Sequence, residues 1–160
     1  MEPLSEQRLA AGIPALALKV KTAHDKMLSA IGNGFRVAQC VRSYQDSDAD
    51  YAKGRTAPGP KVTDAPGGYS WHNFGMAVDC YPFTAGDSGA LDWNPSDHEF
   101  QQMVQFMKAE GLVWGGDWHS IKDYPHFQLG NIPASPGGTD RAAFAAGDMS
   151  RVWSLYTVQQ

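Results

Sequence analysis

Ser70-Trp71-His72-Asn73-Phe74-Gly75-Met76-Ala77-Val78-Asp79-Cys80-Tyr81-Pro82 is the stretch on which the fold turns. Its second half, Met76 to Pro82, reads as a strand. Its first half closes a loop rich in glycine and proline, and Gly75 at the junction permits a sharp turn. That turn brings His72 and Asp79, seven positions apart, toward a common point. Working outward, Phe35 to Val41 alternates as a first strand, with Phe35, Val37, Gln39 and Val41 on one face and Arg36, Ala38, Cys40 and Arg42 on the other. His126 to Leu129 reads as a third strand. Leu16, Val20, Ala23 and Met27 recur at helical spacing, so residues 14–31 are expected to form an amphipathic helix opened by Pro14 and closed at Gly32-Asn33-Gly34.

The remaining segments fill in around these. Residues 43–53 are expected to form a short polar helix with Tyr44, Ala49 and Ala52 inward. Ser96 is expected to cap a helix that packs Phe100, Met103, Val104, Phe106 and Met107 and ends at Gly111. Trp114 to Trp118 reads as turns, and one short helix is expected near Arg141–Trp153. Residues 54–68 and 84–95 are loops by composition. Helices and strands therefore mix without a βαβ rhythm. The expected fold is α+β, a small antiparallel sheet flanked by helices, in one domain over residues 1–160.

The bulk chemistry narrows the function. The chain has 160 residues, 42% of them hydrophobic and 19% charged, which suits a packed globular protein. A net charge of −4 does not suit a nucleic-acid partner, which calls for a basic patch. No run approaches the ~20 apolar residues that span a bilayer, so no membrane insertion is expected. The N-terminal residues lack the basic stretch of a secretory signal peptide. Two cysteines, Cys40 and Cys80, make neither a disulfide framework nor a CxxC site. Strand alternation places them on opposite faces of the sheet, so no disulfide between them is expected.

His72, Asp79 and His126 supply two imidazoles and one carboxylate, a donor set that suits a catalytic zinc ion with one open position. On spacing alone, hydrogen-bonded structural histidines explain the same residues. His24 and His98 read as solvated helix residues. His119 is the rival to His126 as a ligand.

Read as Ser70-x-His72-x-x-Gly75-x-Ala77-x-Asp79, the first motif resembles the zinc motif of peptidase family M15. Trp114-Gly115-Gly116-Asp117-Trp118 followed by Asp123-Tyr124-Pro125-His126-Phe127 resembles the second motif of its L-alanyl-D-glutamate endopeptidase branch, which includes phage endolysins. Gly54-Arg55-Thr56 and Ser5-Glu6-Gln7-Arg8-Leu9 resemble that branch too. The resemblance spans roughly residues 5–130. It implies a Hedgehog/DD-peptidase-like zinc peptidase fold and one zinc ion held by His72, Asp79 and His126. It also implies a catalytic base at Asp123, where the dipeptidase branch has glutamate, and an arginine, Arg42, that binds the substrate or its developing oxyanion.

Ser70, Gln45 and Arg55 are the candidate substrate contacts, and Asp117 is expected to orient a ligand histidine. The implied substrate is peptidoglycan, cut by a monomer that waits in the host cytoplasm before release to the periplasm and cell wall. Two alternatives stay open: a D-alanyl-D-alanine carboxypeptidase, and a zinc-stabilised binding module without turnover.

Overall fold

The computed structural model describes residues 1–119 and 121–157. Two helices open the chain, α1 (Pro3–Ala10) and α2 (Pro14–Ile31). Pro14 occupies the first turn of α2, and Gly32 ends it in the left-handed region at φ 76°. Leu16, Val20, Ala23, His24 and Met27 form the buried stripe of α2. The helix thus falls on the residues expected, but His24 is not the solvated residue its polarity suggested. It is fully buried, Nε2 lies 2.6 Å from Asp87 Oδ1, and its ring meets Phe35 edge-on at 5.1 Å. Those partners make burial of an imidazole tolerable. His98 is exposed, as its position implied.

Four strands form one antiparallel sheet in the order β1-β2-β4-β3: β1 (Phe35–Gln39), β2 (Ala77–Pro82), β3 (Leu112–Trp114) and β4 (His126–Leu129). The edge strand β1 is covered by α1. Ser5 Oγ accepts from Val37 N at 2.9 Å, and Arg8 Nη1 donates to Val37 O at 2.8 Å, so this edge offers few free groups to another strand. β3 is absent from the sequence reading because three residues are too short to show alternation, and Trp114 ends a strand instead of opening a turn. The helix α4 (His98–Ala109) packs on α2 and on β3. Its N-cap is Asp97, one residue beyond the expected Ser96, whose N–H donates instead to Asn94 Oδ1.

A β-bulge between Val37 and Gln39 decides what faces the site. It adds a residue to β1 and reverses the alternation beyond it. Gln39 therefore stands opposite Asp79, while Cys40 turns into the same buried core cluster as Cys80. The two cysteines are not on opposite faces, although both are free. On α3 (Tyr44–Ala52) the buried residue is Ser47, not Ala49, which is exposed.

The C-terminal segment is two helices, α5 (Gly138–Ala145) and α6 (Met149–Tyr156), not one. Asp148 between them caps α6 by accepting from Ser150 N at 2.8 Å. Trp153 Nε1 donates to Phe74 O at 2.6 Å, which pins α6 beneath the turn that carries His72. Among the described residues, no helix is long and apolar enough to cross a membrane.

Candidate active site

His72 sits in a 3-10 turn, Trp71–Phe74, between β1 and β2. Trp71 and Phe74 are buried anchors, and the Trp71 indole donates to Pro133 O at 2.8 Å. Gly75 ends the turn at φ 64°, and a Cβ there would stand 2.9 Å from Gly12 Cα, so both the dihedral and the close approach require glycine. Ser70 caps the turn through its hydroxyl, which accepts from His72 N at 3.3 Å.

Asn73 is the hub beneath it. Its Oδ1 accepts from Gly68 N, and its Nδ2 donates to Arg42 O at 2.9 Å and to Ser47 Oγ at 2.8 Å. A buried amide with this many partners fixes the His72 turn against the end of β1 and against α3.

The antiparallel register places Asp79 directly opposite His126. His72 Nε2 lies 3.2 Å from Asp79 Oδ1 and 3.2 Å from His126 Nδ1, and Asp79 Oδ1 lies 3.8 Å from His126 Nδ1. A tetrahedral ion with ligands at roughly 2.0–2.1 Å separates neighbouring donors by about 3.3–3.4 Å. The triangle has that size. Among the described residues, this is the group of His, Cys, Asp and Glu whose donor atoms converge, all within 4.8 Å of one another. His119 is exposed on the cavity wall and outside the group.

The remaining imidazole nitrogens show which lone pairs are available. His72 Nδ1 lies 2.8 Å from Cys40 O, which can only accept, so Nδ1 carries the proton and Nε2 faces the centre. His126 Nε2 lies 3.1 Å from Gln128 Oε1. The Gln128 amide nitrogen is committed to Pro133 O and Ala134 O, so its oxygen must be the atom facing His126, and His126 Nδ1 is left as the ligand atom. The sequence reading missed Gln128 in this role and gave it to Asp117. Asp117 instead pairs with Lys108 at 2.6 Å. The missed signal was period two, since Gln128 shares a strand face with His126.

The electrostatics agree. Burial alone would raise the Asp79 carboxyl, but the charges of His72, His126 and Arg42 and the hydrogen bond from His72 hold it down to about 2. Burial and the neighbouring His72 push His126 down to about 4, so it is neutral and free to ligate. Burial opposes a proton on His72, yet the charge of Asp79 and its hydrogen bond outweigh burial and raise His72.

Arg42 follows β1 and approaches Asp79 Oδ2 at 3.5 Å. Its Nε donates to Gln39 Oε1 at 2.7 Å, and its Nη2 also bonds that oxygen. Asp123 lies on the other flank, with Oδ2 4.0 Å from His126 Nδ1. Burial first, and the Asp79 charge second, raise its carboxyl to about 6, while 44% side-chain exposure lets solvent temper the shift. Gly115 makes room for this flank, because a Cβ there would come within 2.4 Å of Asp123 O.

These groups open into a cavity of about 720 Å³. Arg42, Ser70, His72, Trp118, Asp123 and His126 are among the residues that line it. The Trp118 ring packs over His126 at 4.9 Å. Gln45 is exposed on α3 and outside the cavity lining. Arg55 is outside it too, held by Tyr51 O, Thr63 O and Asp64, and so bound up in the loop that supplies Thr63–Ala65 to the wall.

A family model described as D-alanyl-D-alanine carboxypeptidase matches residues 63–129, the span holding all three donors and Asp123. Peptidoglycan L-alanyl-D-glutamate endopeptidase CwlK of Bacillus subtilis (strain 168) is 35% identical over 120 residues, covering 71% of this chain and 67% of CwlK. The chain belongs to peptidase family M15. The fold agrees with solved structures of similar architecture. Serratia marcescens L-Ala D-Glu endopeptidase ChiX aligns over 81% of this chain and 88% of its own, with a TM-score of 0.58 at 22% identity. The D,D-pentapeptidase VanY of a VanB-type vancomycin-resistance cassette, solved as an E175A mutant in complex with Zn(II), aligns over 89% and 83%, with a TM-score of 0.54 at 14% identity. As an M15 hydrolase, this chain presents His72, Asp79 and His126 as its metal-binding group.

Proposed function

We propose that residues 1–160 act as one catalytic domain that hydrolyses the L-alanyl–D-glutamate bond of peptidoglycan stem peptides with a single zinc ion. The observation that carries this reading is the ready-made donor triangle with a second carboxylate, Asp123, 4.0 Å from a ligand nitrogen. The 35% identity to an L-alanyl-D-glutamate endopeptidase supports the choice of bond. Bound zinc supplies a water acidic enough to ionise near neutral pH and an electrophile for the scissile carbonyl.

The chain's own residues do the rest. Asp123 accepts the proton of the attacking water and delivers it to the departing D-glutamate nitrogen. A carboxyl raised to about 6 is suited to both transfers near neutral pH. Arg42 turns a guanidinium toward the cavity, where negative charge grows on the carbonyl oxygen, and Gln39 holds it in place. Ser70 lines the cavity while capping the His72 turn, which suits it to a substrate contact. Gln45 and Arg55 have no place in this contact set, since both lie off the cavity lining.

A phage-type endolysin role is the finer reading. It rests on the likeness of Ser5–Leu9, Gly54–Thr56 and the 114–127 segment to that branch, and it is tested by adding purified protein to permeabilised bacteria, where lysis is expected. The bond assignment is tested by digesting purified peptidoglycan and weighing the products. Stem peptides with a new D-glutamate terminus are expected. Free D-alanine as the sole product would replace this reading with a carboxypeptidase, and no product from zinc-loaded protein would leave only a binding module.

A further inference from the structure

The cavity carries one charge that the cleavage chemistry does not use. Asp64, Asp117 and Asp123 line it, as do Arg42 and Lys122. Most of these charges already have partners. Asp64 pairs with Arg55 at 2.6 Å and with Lys61, Asp117 pairs with Lys108 at 2.6 Å, and Arg42 meets Asp79 at 3.5 Å. Lys21, Lys26, Lys53, Lys61 and Lys108 each pair with a carboxylate. Lys122 has no carboxylate partner among the described residues, although Asp117 lines the same cavity. Lys122 is exposed, yet its end is placed. Its Nζ donates to Gly116 O at 2.9 Å, and the next residue, Asp123, donates from its N to Gly115 O at 3.2 Å. The cation and the proposed base therefore hang from one turn. That turn is fixed in shape, because a Cβ on Gly116 would collide with the Trp114 ring and one on Gly115 with Asp123 O. An ammonium has three donors, and Gly116 O takes one of them.

We propose that Lys122 is a substrate-binding residue that receives the α-carboxylate of the D-glutamate at the cut bond. This role rests on the L-alanyl–D-glutamate reading. In that substrate the chain runs on through the γ-carboxyl of D-glutamate, so the α-carboxylate is free and ionised. It hangs from the same carbon as the departing nitrogen, which puts its own carbon about 2.5 Å from that nitrogen. Asp123, the group that hands a proton to the nitrogen, therefore has the substrate carboxylate close by. Two ionised carboxylates at such range repel each other. A cation one residue from the base, anchored to the same turn and with two donors open, offsets that repulsion and holds the leaving amine on the Asp123 side of the cavity. Arg42 stands on the other flank, against Asp79 and Gln39, where the carbonyl oxygen is to be met. An α-amide in place of the carboxylate would keep the shape and forfeit the charge, so Lys122 makes the site selective for the acid.

The test compares two synthetic stem peptides that differ only at the D-glutamate α-position, one a free carboxylate and the other a primary amide. Zinc-loaded protein digests each, and product masses are read in every run. The wild type is expected to favour the carboxylate by roughly three- to tenfold in kcat/KM at low ionic strength, and by less as salt is raised. Lys122→Met is expected to lose that preference by slowing on the carboxylate peptide while holding its rate on the amide. Lys122→Arg is expected to keep it. Equal wild-type rates on the two peptides overturn the subsite. So does a Lys122→Met variant that slows equally on both, which is what a merely structural lysine would do. Product masses keep the two readings apart. Cleavage between L-alanine and D-glutamate without a carboxylate preference removes the role of Lys122 alone, whereas cleavage at another bond removes the bond assignment and that role with it.

Discussion

The two flanks of the reaction centre are built from the same kind of side chain to opposite ends. On one flank Asp79 is locked in a strand, flanked by two histidines and an arginine, and held down to about 2. On the other Asp123 sits on a turn, 44% exposed and facing the Asp79 charge, and is raised to about 6. Cationic neighbours keep the first carboxylate permanently ionised and available as a ligand. Burial and a like charge leave the second able to take and give a proton near neutral pH. The lesson is that two paired strands supply Asp79 and His126 and a glycine-ended turn supplies His72, while the carboxylate proposed as the acid–base group sits on a second turn beside Gly115.

Substitutions on each flank separate these roles. His72→Ala or Asp79→Asn is expected to abolish stoichiometric metal binding and reduce turnover to background, as read by metal content of dialysed protein and by product release. Asp123→Asn is expected to lower kcat by about 10²–10⁴-fold while one metal ion stays bound. A variant that keeps both metal and turnover would show that the base lies elsewhere. Gln128→Leu removes the acceptor for His126 Nε2–H and leaves the ligands in place. It is expected to cost about 10–100-fold in metal affinity, measured by competition with a chelator.

The smallest effect is in the pH profile. Asp123 must be ionised to act as base, so kcat/KM is expected to rise with pH along an acid limb at or below about 6, because a bound cation lowers a neighbouring carboxyl. Asp123→Asn is expected to remove that limb. For the metal-free protein the sign differs between the flanks. Asp79, lowered by folding, stabilises the fold above the unfolded carboxylate value near 4 and loses that contribution as pH falls toward about 2. Asp123, raised by folding, favours the fold at low pH and loses that contribution as pH rises through about 6.

Much of this was legible in the residues. The apolar stripe and flanking Pro14 and Gly32 define α2 through short-range spacing, whereas the donor triangle was named by the resemblance of two motifs to family M15, since spacing alone also fits structural histidines. What escaped depends on longer-range geometry. The bulge in β1 has no glycine or proline to announce it, yet it turns Cys40 into the core and Gln39 toward Asp79. β3 carries too few residues to alternate. His24 looks like a surface residue until Asp87, 63 positions away, arrives to bond it. Asn73 shows its importance only when β1, α3 and the Gly68 loop have assembled around its amide.

The most direct test is a crystal of the zinc-loaded protein with anomalous scattering recorded at the zinc edge. One peak is expected, roughly 2.0–2.2 Å from each of His72 Nε2, Asp79 Oδ1 and His126 Nδ1. A peak away from this triangle, or one that engages His126 through Nε2, would contradict the account.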